Sequence, residues 1–344
     1  MTRTQGSEMS AHETPRLPVA VVGAGFSGPL LAVNLIRLGV EVVMVERDER
    51  QLAKGLAFGT RRPEHLLNVR ASNMSAFPDD LGNFLRWMGF SDSEQANRFV
   101  PRLAYGHYLR ELLVDALAAA PGRAQIVQGE AVSAAFEPDR ITLALDGKRP
   151  VECRALILAL GNFPPSPLPP LAGIAPPLHF ADPWAPGVLD GLEDLEHVLL
   201  LLLGTGLTAA DMIISLTRSR FKGRITARSR RGLKPRAHAE VGPSVTPVTQ
   251  PDTRGSWLLR SVRRRADEIG WRAAVDELRP HTQHIWRRHD TVAQRRFLRH
   301  ARPYYRLAPD VAAQLQALEG AGRLSFRAGK LVTAVAEDGR VRLQ

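Results

Sequence analysis

"PVAVVGAGFSGPLLAVNLIRLGVEVVMVERDE", Pro18 to Glu49, reads as strand, glycine turn, helix, strand and acid in that order. Val19 to Val22 forms a short apolar strand, and Gly23-Ala24-Gly25-Phe26-Ser27-Gly28 is a G-x-G-x-x-G turn. Leu30 to Leu38 has helical character, and Glu41 to Val45 is a second strand ending at Glu46. Each part has a mechanical task. Gly23 permits the tight turn, Gly25 lets backbone approach a pyrophosphate, and Gly28 lets helix pack on strand. The helix N-terminus offers unpaired N–H groups to an anion, and Glu46 is placed for ribose hydroxyls. A glycine triplet alone is a weak signal, but with all its neighbours in order it predicts a dinucleotide-binding βαβ unit.

A second stretch repeats the pattern. "HVLLLLLGTGLTAADMI", His197 to Ile213, is broken at Gly204 and too short in its apolar run to cross a membrane, which takes about 20 apolar residues. Val198 to Leu203 reads as a buried strand, Gly204-Thr205-Gly206-Leu207-Thr208-Ala209 as G-x-G-x-x-A, and Thr208 to Thr217 as helix. The following strand, "GRITARSRR", exits through Arg228, Arg230 and Arg231 instead of an acid. A cationic exit suits a 2′-phosphate, so NADPH is expected here, with NADH as the alternative.

The expected fold class is α/β: two Rossmann-like dinucleotide-binding modules with a helical insertion in the second. The first continues through "AQIVQGEAVSAAFEPDRITLALDGKRPVECRA", a strand meander turning at Asp146-Gly147, to a strand at Leu156 to Leu160 closing on Gly161. The second ends in "GRLSFRAGKLVTAVAEDGRVRLQ", which matches the start of that meander. The boundaries read as a loose tail over 1–17, a first module over 18–162, a Pro-rich extended connector over 163–190 and a second module over 191–344. The insertion spans about 254–318 within the second module, whose closing strand is expected to be missing.

Composition excludes some functions. Cys153 is the lone cysteine, which rules out an internal disulfide or a C-x-x-C redox pair and reads as a small buried hydrophobe. The start is polar with no apolar signal core, in keeping with a cytoplasmic protein and no membrane partner. The net charge of +11 raises nucleic acid as a partner. Yet in the insertion the arginines are interleaved with Trp257, Leu258, Ile269, Trp271, Val275 and Leu278 at helical spacing, an amphipathic helix with a solvated basic face, and no nucleic-acid partner is expected. His281, His284 and His289 lack a carboxylate or thiolate to complete a metal site. His238, in "KPRAHAE", reads as a loop hydrogen-bonding residue and as the better active-site candidate.

Two dinucleotide folds in tandem are what a flavin enzyme reduced by a nicotinamide needs. The chain resembles the FAD/NAD(P)-binding proteins grouped with urate hydroxylase and aspartate N-monooxygenase-like flavoproteins. The resemblance runs from Pro18 nearly to the C-terminus, through "GAGFSG", "KGLAFGT", "HLLNVRASNMSAFPDDLGNFLRWM", "FVPRLAYGHYL", "ALGNFPP", "GTGLTAAD", "SRRGLKPRAH" and "RFLRHARP". It implies FAD held by Gly23, Gly25, Phe26, Ser27, Gly28, Glu46 and Arg47, with Asn68 and Gly161 near the flavin and the Val132 backbone at the adenine. It implies NAD(P)H held by Gly204, Gly206, Leu207, Thr208, Ala209, Arg228, Arg230 and Arg231. The implied activity is NADPH-reduced hydroxylation of a small molecule by molecular oxygen through a flavin hydroperoxide, with no side chain named as catalytic. A shortened, catalytically silent nucleotide-binding protein is the alternative. The chain departs from the family in its Ala159-Leu160-Gly161 turn, and family members run on past Gln344, which implies shortening at the C-terminus. Substrate and oligomeric state are left open.

Overall fold

Valine-rich runs buried on both faces are the mark of central parallel strands, and the first half of the chain is built on two of them. The computed structural model describes residues 17–193, 199–238, 255–301 and 306–344, and the chain divides into two units. Unit 1 comprises the chain up to Pro63, Met74–Phe90 and Val100–Pro164, and unit 2 comprises Glu64–Asn73, Ser91–Phe99 and Pro165–Gln344. The segments 64–73 and 91–99 thus fall in the second unit, although the sequence places them within the first module.

In unit 1, β1 (Val19–Val22) leads into α1 (Ser27–Arg37) and β2 (Val42–Glu46). Then come α2 (Gly55–Phe58) and α3 (Asn83–Trp87); α4 (Ser93–Ala96) lies in unit 2; α5 (Arg102–Ala118) and β3 (Ala124–Gln128) return to unit 1. The meander β4 (Ala131–Phe136), β5 (Ile141–Leu145) and β6 (Val151–Cys153) precedes β7 (Ala155–Leu158). The parallel sheet has the order β3-β2-β1-β7, with Val19 opposite both Val42 and Ala155. Helices α1 and α5 pack together. The antiparallel meander covers a face of the sheet: Leu143 and Leu145 pack on Val22 and Val45, and Cys153 packs beside Ala20 and Val43. Burial pushes the Cys153 thiol up from its ordinary value, so it sits as a neutral hydrophobe.

In unit 2, α6 (Asp190–Glu193) precedes β8 (Leu199–Leu203), α7 (Leu207–Arg218), β9 (Arg224–Ser229) and β10 (Arg236–Ala237). Helices α8 (Gly255–Ile269), α9 (Trp271–Asp276), α10 (Thr282–Arg287) and α11 (Thr291–Ala301) form the insertion. They are followed by β11 (Arg306–Leu307), α12 (Pro309–Gly320), β12 (Leu324–Ala328), β13 (Ala334–Glu337) and β14 (Arg340–Leu343). The parallel sheet among the described residues is three-stranded, β12-β9-β8. From Ala209 to Leu216 every residue of α7 is buried, because the helix is enclosed on all sides. Its partners include Ile225, Leu307, Val311, Leu315 and Leu324. Helix α12 packs on α7 and leads into β12, as α5 leads into β3, so it belongs to the dinucleotide fold and the insertion ends before it. At the β13–β14 turn, Asp338 and Gly339 both take positive φ, +48° and +70°, as a two-residue hairpin of this hand requires.

Three expectations are corrected by packing. The 163–190 stretch is not simply extended: Pro169–Leu171 forms a 3-10 turn, and Leu171 and Val188 are buried, because its apolar side chains find cover in unit 2. Trp257 and Val275, expected on a buried face, are exposed, since α8 packs chiefly on α9. Arg265 is not simply solvated; it donates to Glu277 from Nε and Nη2, and to Glu268, and these bonds hold the Glu277 carboxyl below its ordinary range. Residues 1–16 and 194–198, including most of the expected tail and Val198, lie outside the described residues.

A Cβ on Gly28 would stand 1.9 Å from the carbonyl oxygen of Gly23. Gly28→Ala is therefore expected to lower stability toward the upper end of the roughly 1–3 kcal/mol seen for overpacking, read as a lower urea midpoint; an unchanged midpoint would contradict this turn geometry.

Candidate nucleotide-binding sites

The first glycine turn is closed by four backbone contacts. Gly23, at φ +96°, donates its N–H to the Val45 carbonyl at 2.8 Å. Its α-carbon faces the end of β7, where a Cβ would come within 2.4 Å of the Ala159 oxygen. Gly25 is approached by Gly55, whose α-carbon would lie 3.3 Å from a Cβ there. The Ala53 N–H donates to the Ala24 carbonyl at 2.8 Å, which fixes the "KGLAFGT" segment against the turn. Gly25 therefore serves packing by protein backbone as well as the ligand approach expected of it.

Glu46 sits at the end of β2 with both carboxylate oxygens engaged, one by the Ala24 N–H at 2.6 Å and one by the Asp48 N–H at 2.9 Å. Beside it Arg47 pairs with Glu130 at 3.1 Å. The strand ladder skips Val132: Ala131 pairs with Leu145 and Ser133 with Ala144. Val132 is thus a bulge residue, 61% exposed, whose backbone polar groups stand outside the ladder and can face a ligand. No side chain caps α1, so the N–H groups of its first turn stay open to an anion. An open cleft of about 510 Å³ is lined by Ser27, Leu31 and residues 157–162, including Gly161. It lies where β1 has neighbours on both sides, outside the carboxyl ends of β1 and β7, the usual ligand position in such sheets. Gly23, Gly25, Phe26, Ser27, Gly28, Glu46, Arg47, Val132 and Gly161 are brought together at this end of unit 1. Their donors, cradle and single free-ribose acid fit a flavin dinucleotide.

Sequence reasoning missed Lys54. Its stem lies against Gly106, where a Cβ would come within 3.4 Å of Lys54 Cγ and 2.5 Å of the Phe58 oxygen. Burial, then the charges of Arg110 and Arg61, push its ammonium below the ordinary lysine value. The aromatic rings of Phe26, Phe58, Tyr105 and Phe84 run in contact beneath the same turn. Burial raises the Tyr105 phenol well above its ordinary value, so it stays neutral.

The second turn is built alike. Gly204 donates to the Arg228 carbonyl at 2.8 Å, and Gly206 precedes the uncapped α7. Leu207, Thr208 and Ala209 form its first turn, with Ala209 buried. Unlike Gly23, neither Gly204 nor Gly206 has an atom within 4 Å of a would-be Cβ. The difference traces to β8, which among the described residues is paired only with β9, and whose Leu199 is 64% and Leu203 40% exposed. Thr205 donates its hydroxyl to the Leu233 carbonyl and accepts from Ser229 Oγ at 2.9 Å, tying the turn to the exit of β9. At that exit Arg230 and Arg231 are exposed, and Arg228 is half-buried with Nε lacking a partner.

Asn68 belongs to unit 2 and the other flavin candidates to unit 1, and its carbonyl is taken by His238 Nε2 at 2.8 Å. His238 is thus hydrogen-bonded to a loop carbonyl, beside the Phe99 ring. His65, also missed, is 1% exposed, contacts Ser215 Oγ at 2.7 Å through Nε2 and meets the Trp184 ring edge-on. Its partner is 150 residues away, which no local pattern reveals. Among the described residues no group of three or more His, Cys, Asp or Glu is placed to hold a metal, and no helix is long and apolar enough to cross a membrane.

Residues 20–163 match the model of the FAD-NAD(P)-binding family. The reduced form of ornithine hydroxylase from Pseudomonas aeruginosa is similar at TM-score 0.56 and 14% identity, over 95% of this chain and 76% of that one. OTEMO in complex with FAD and NADP matches at TM-score 0.48 and 20% identity, over 65% of this chain and 41% of that one. Thioredoxin reductase of Lactococcus lactis matches at TM-score 0.44 and 10% identity, over 95% and 69%. The chain thus spans less than half the length of the OTEMO chains it matches. No curated protein matches by sequence. Residues 20–163 thus match the FAD-NAD(P)-binding model, and over nearly its whole length the chain shares the α/β fold of the ornithine hydroxylase structure.

Because the charged form of Lys54 is disfavoured on folding, stability rises as pH approaches its ordinary value of 10.5 from below. Lys54→Met removes that penalty and is expected to raise the urea midpoint at pH 7, by an amount that shrinks toward pH 10.5. A lowered midpoint at pH 7 would contradict the cause assigned to the shift.

Proposed function

We propose that the chain is a FAD-dependent, NADPH-reduced oxidoreductase of the monooxygenase kind, acting on a small molecule with molecular oxygen. The observation that carries the reading is the pair of matched glycine turns with opposite exits: an acid, Glu46, at one and the cations Arg228, Arg230 and Arg231 at the other. An acid receives a free ribose, and cations receive a 2′-phosphate. The ornithine hydroxylase fold and the FAD and NADP of the OTEMO complex are in keeping with this assignment.

In this reading FAD, when bound, supplies the redox chemistry, accepting a hydride from NADPH and delivering electrons to oxygen. The protein binds and orients. Gly23 to Gly28 and the open N-terminus of α1 hold the pyrophosphate, Glu46 accepts from the ribose hydroxyls, and the Val132 backbone faces the adenine. Gly161 and Ser27, lining the cleft beside β7, border the flavin end. The neutral aromatic packing of Phe26, Phe58 and Tyr105 keeps water from beneath the turn. Gly204, Gly206, Leu207, Thr208 and Ala209 hold the nicotinamide dinucleotide. No side chain is assigned as acid or base, because such hydroxylation leaves the hard step to the cofactor. The lone buried Cys153 suits a reducing, cytoplasmic setting.

The exposed, singly paired β8 favours a second reading, a nucleotide-binding protein without turnover. One experiment separates the two. After reconstitution with excess FAD and removal of the unbound fraction, the enzyme reading expects a stoichiometric flavin absorption spectrum that bleaches on anaerobic addition of NADPH. Glu46→Ala is expected to weaken FAD binding by about 10-fold or more, the loss of a charge-assisted hydrogen-bonding group. A colourless wild-type protein, or a flavin that NADPH does not reduce, would overturn the enzyme reading.

A further inference from the structure

The two sheets correspond residue for residue at the exits of their second and third strands. In unit 1 Val22 pairs with Val45 and Val45 with Val127; in unit 2 Leu203 pairs with Arg228 and Arg228 with Arg327. The next bond is also shared: the Gly129 N–H donates to the Glu46 carbonyl at 2.9 Å, and the Gly329 N–H to the Ser229 carbonyl at 3.0 Å. Glu46 therefore corresponds to Ser229, Arg47 to Arg230, and Glu130 to Lys330.

That last correspondence reverses a charge. In unit 1 the two positions form the Arg47–Glu130 ion pair at 3.1 Å. In unit 2 the same backbone positions carry two exposed cations, Arg230 and Lys330, and neither has an ion-pair partner among the described residues. Arg228 adds a third, its Nε buried without a hydrogen-bond partner and packed against Gly329, where a Cβ would lie 3.3 Å away. Gly232, at φ +62°, would bring a Cβ within 2.8 Å of the Ala328 nitrogen. Its absence lets the loop carrying Arg230 and Arg231 close onto the end of β12, from which Lys330 projects. Like charges gathered at positions that elsewhere form an ion pair repel one another until an anion stands between them, and a dianionic phosphate monoester is the group that such donors bind best.

We propose that Lys330, together with Arg230, clamps the 2′-phosphate of NADPH and sets the preference for NADPH over NADH. The assignment rests on the reading of unit 2 as the nicotinamide-nucleotide site. It adds a residue from the third strand to a set otherwise drawn from the exit of the second. Ser229, standing where Glu46 stands in unit 1, removes the carboxylate that would repel the phosphate.

The test is calorimetric titration of NADPH and of NADH into wild type, Lys330→Glu and Lys330→Arg at one fixed ionic strength, with melting temperatures as the folding control. Lys330→Glu restores the charge pattern of unit 1, so its melting temperature is expected to equal or exceed that of wild type. NADPH affinity is expected to fall about 10- to 100-fold in that variant, the loss of a charge-assisted contact, while NADH affinity changes less than about twofold. Lys330→Arg is expected to retain the preference. An unchanged NADPH-to-NADH ratio in Lys330→Glu would overturn the role of Lys330 and leave the nucleotide reading standing. Failure of wild type to bind either nucleotide would overturn both.

Discussion

Each half of this protein hangs on a hydrogen bond from the first glycine of a turn to the penultimate carbonyl of the neighbouring strand, Gly23 to Val45 and Gly204 to Arg228, both at 2.8 Å. That bond ends the first strand in step with the second, so the turn projects beyond the sheet instead of folding back on it. The helix then starts with uncapped N–H groups facing the same end. From this one constraint follow the close fit of Gly28 under the Gly23 carbonyl, the capture of the Ala24 N–H by Glu46, and the tie from Thr205 to Ser229.

With the backbone shared, the side chains at the strand exits carry the difference in function. Where unit 1 has Val45, Glu46 and Val127, unit 2 has Arg228, Ser229 and Arg327. Val45 is buried by the meander that covers its sheet face. Arg228, half-buried, stands at the position of Val45, and the neighbouring positions of this face in unit 2 are polar, with Thr226 and Ser325 hydrogen-bonded across the strands at 3.0 Å. A sheet face that served as core in one unit has become a charged surface in the other. In the proposed reading, such a repeat divides two nucleotides between its halves without changing its fold.

Much of this was legible in the sequence because it is local. Both glycine turns, their flanking strands and helices, and the meander turn at Asp146-Gly147 are encoded within a few residues, and the structure shows the Rossmann-like fold expected. What was not legible depends on contacts across long separations. The docking of His65 on Ser215 places Glu64–Asn73 in unit 2, and nothing in "HLLNVRASN" announces a partner 150 residues away. Helix α12 follows the basic helices in sequence but packs on α7, a contact across about 100 residues that no local pattern reveals. Trp257 and Val275 fit a helical period yet stay exposed, because periodicity names a face and not what covers it. The charge of Lys330 was visible, but its correspondence to Glu130 required the register of both sheets.

In the proposed reading the two turns hold two different nucleotides at once. Equilibrium dialysis of the full chain against FAD and NADPH together, with each bound nucleotide counted, is then expected to give one FAD and one NADPH per chain, each with the same stoichiometry in the presence of the other. Mutual displacement, with a single nucleotide bound per chain, would overturn it.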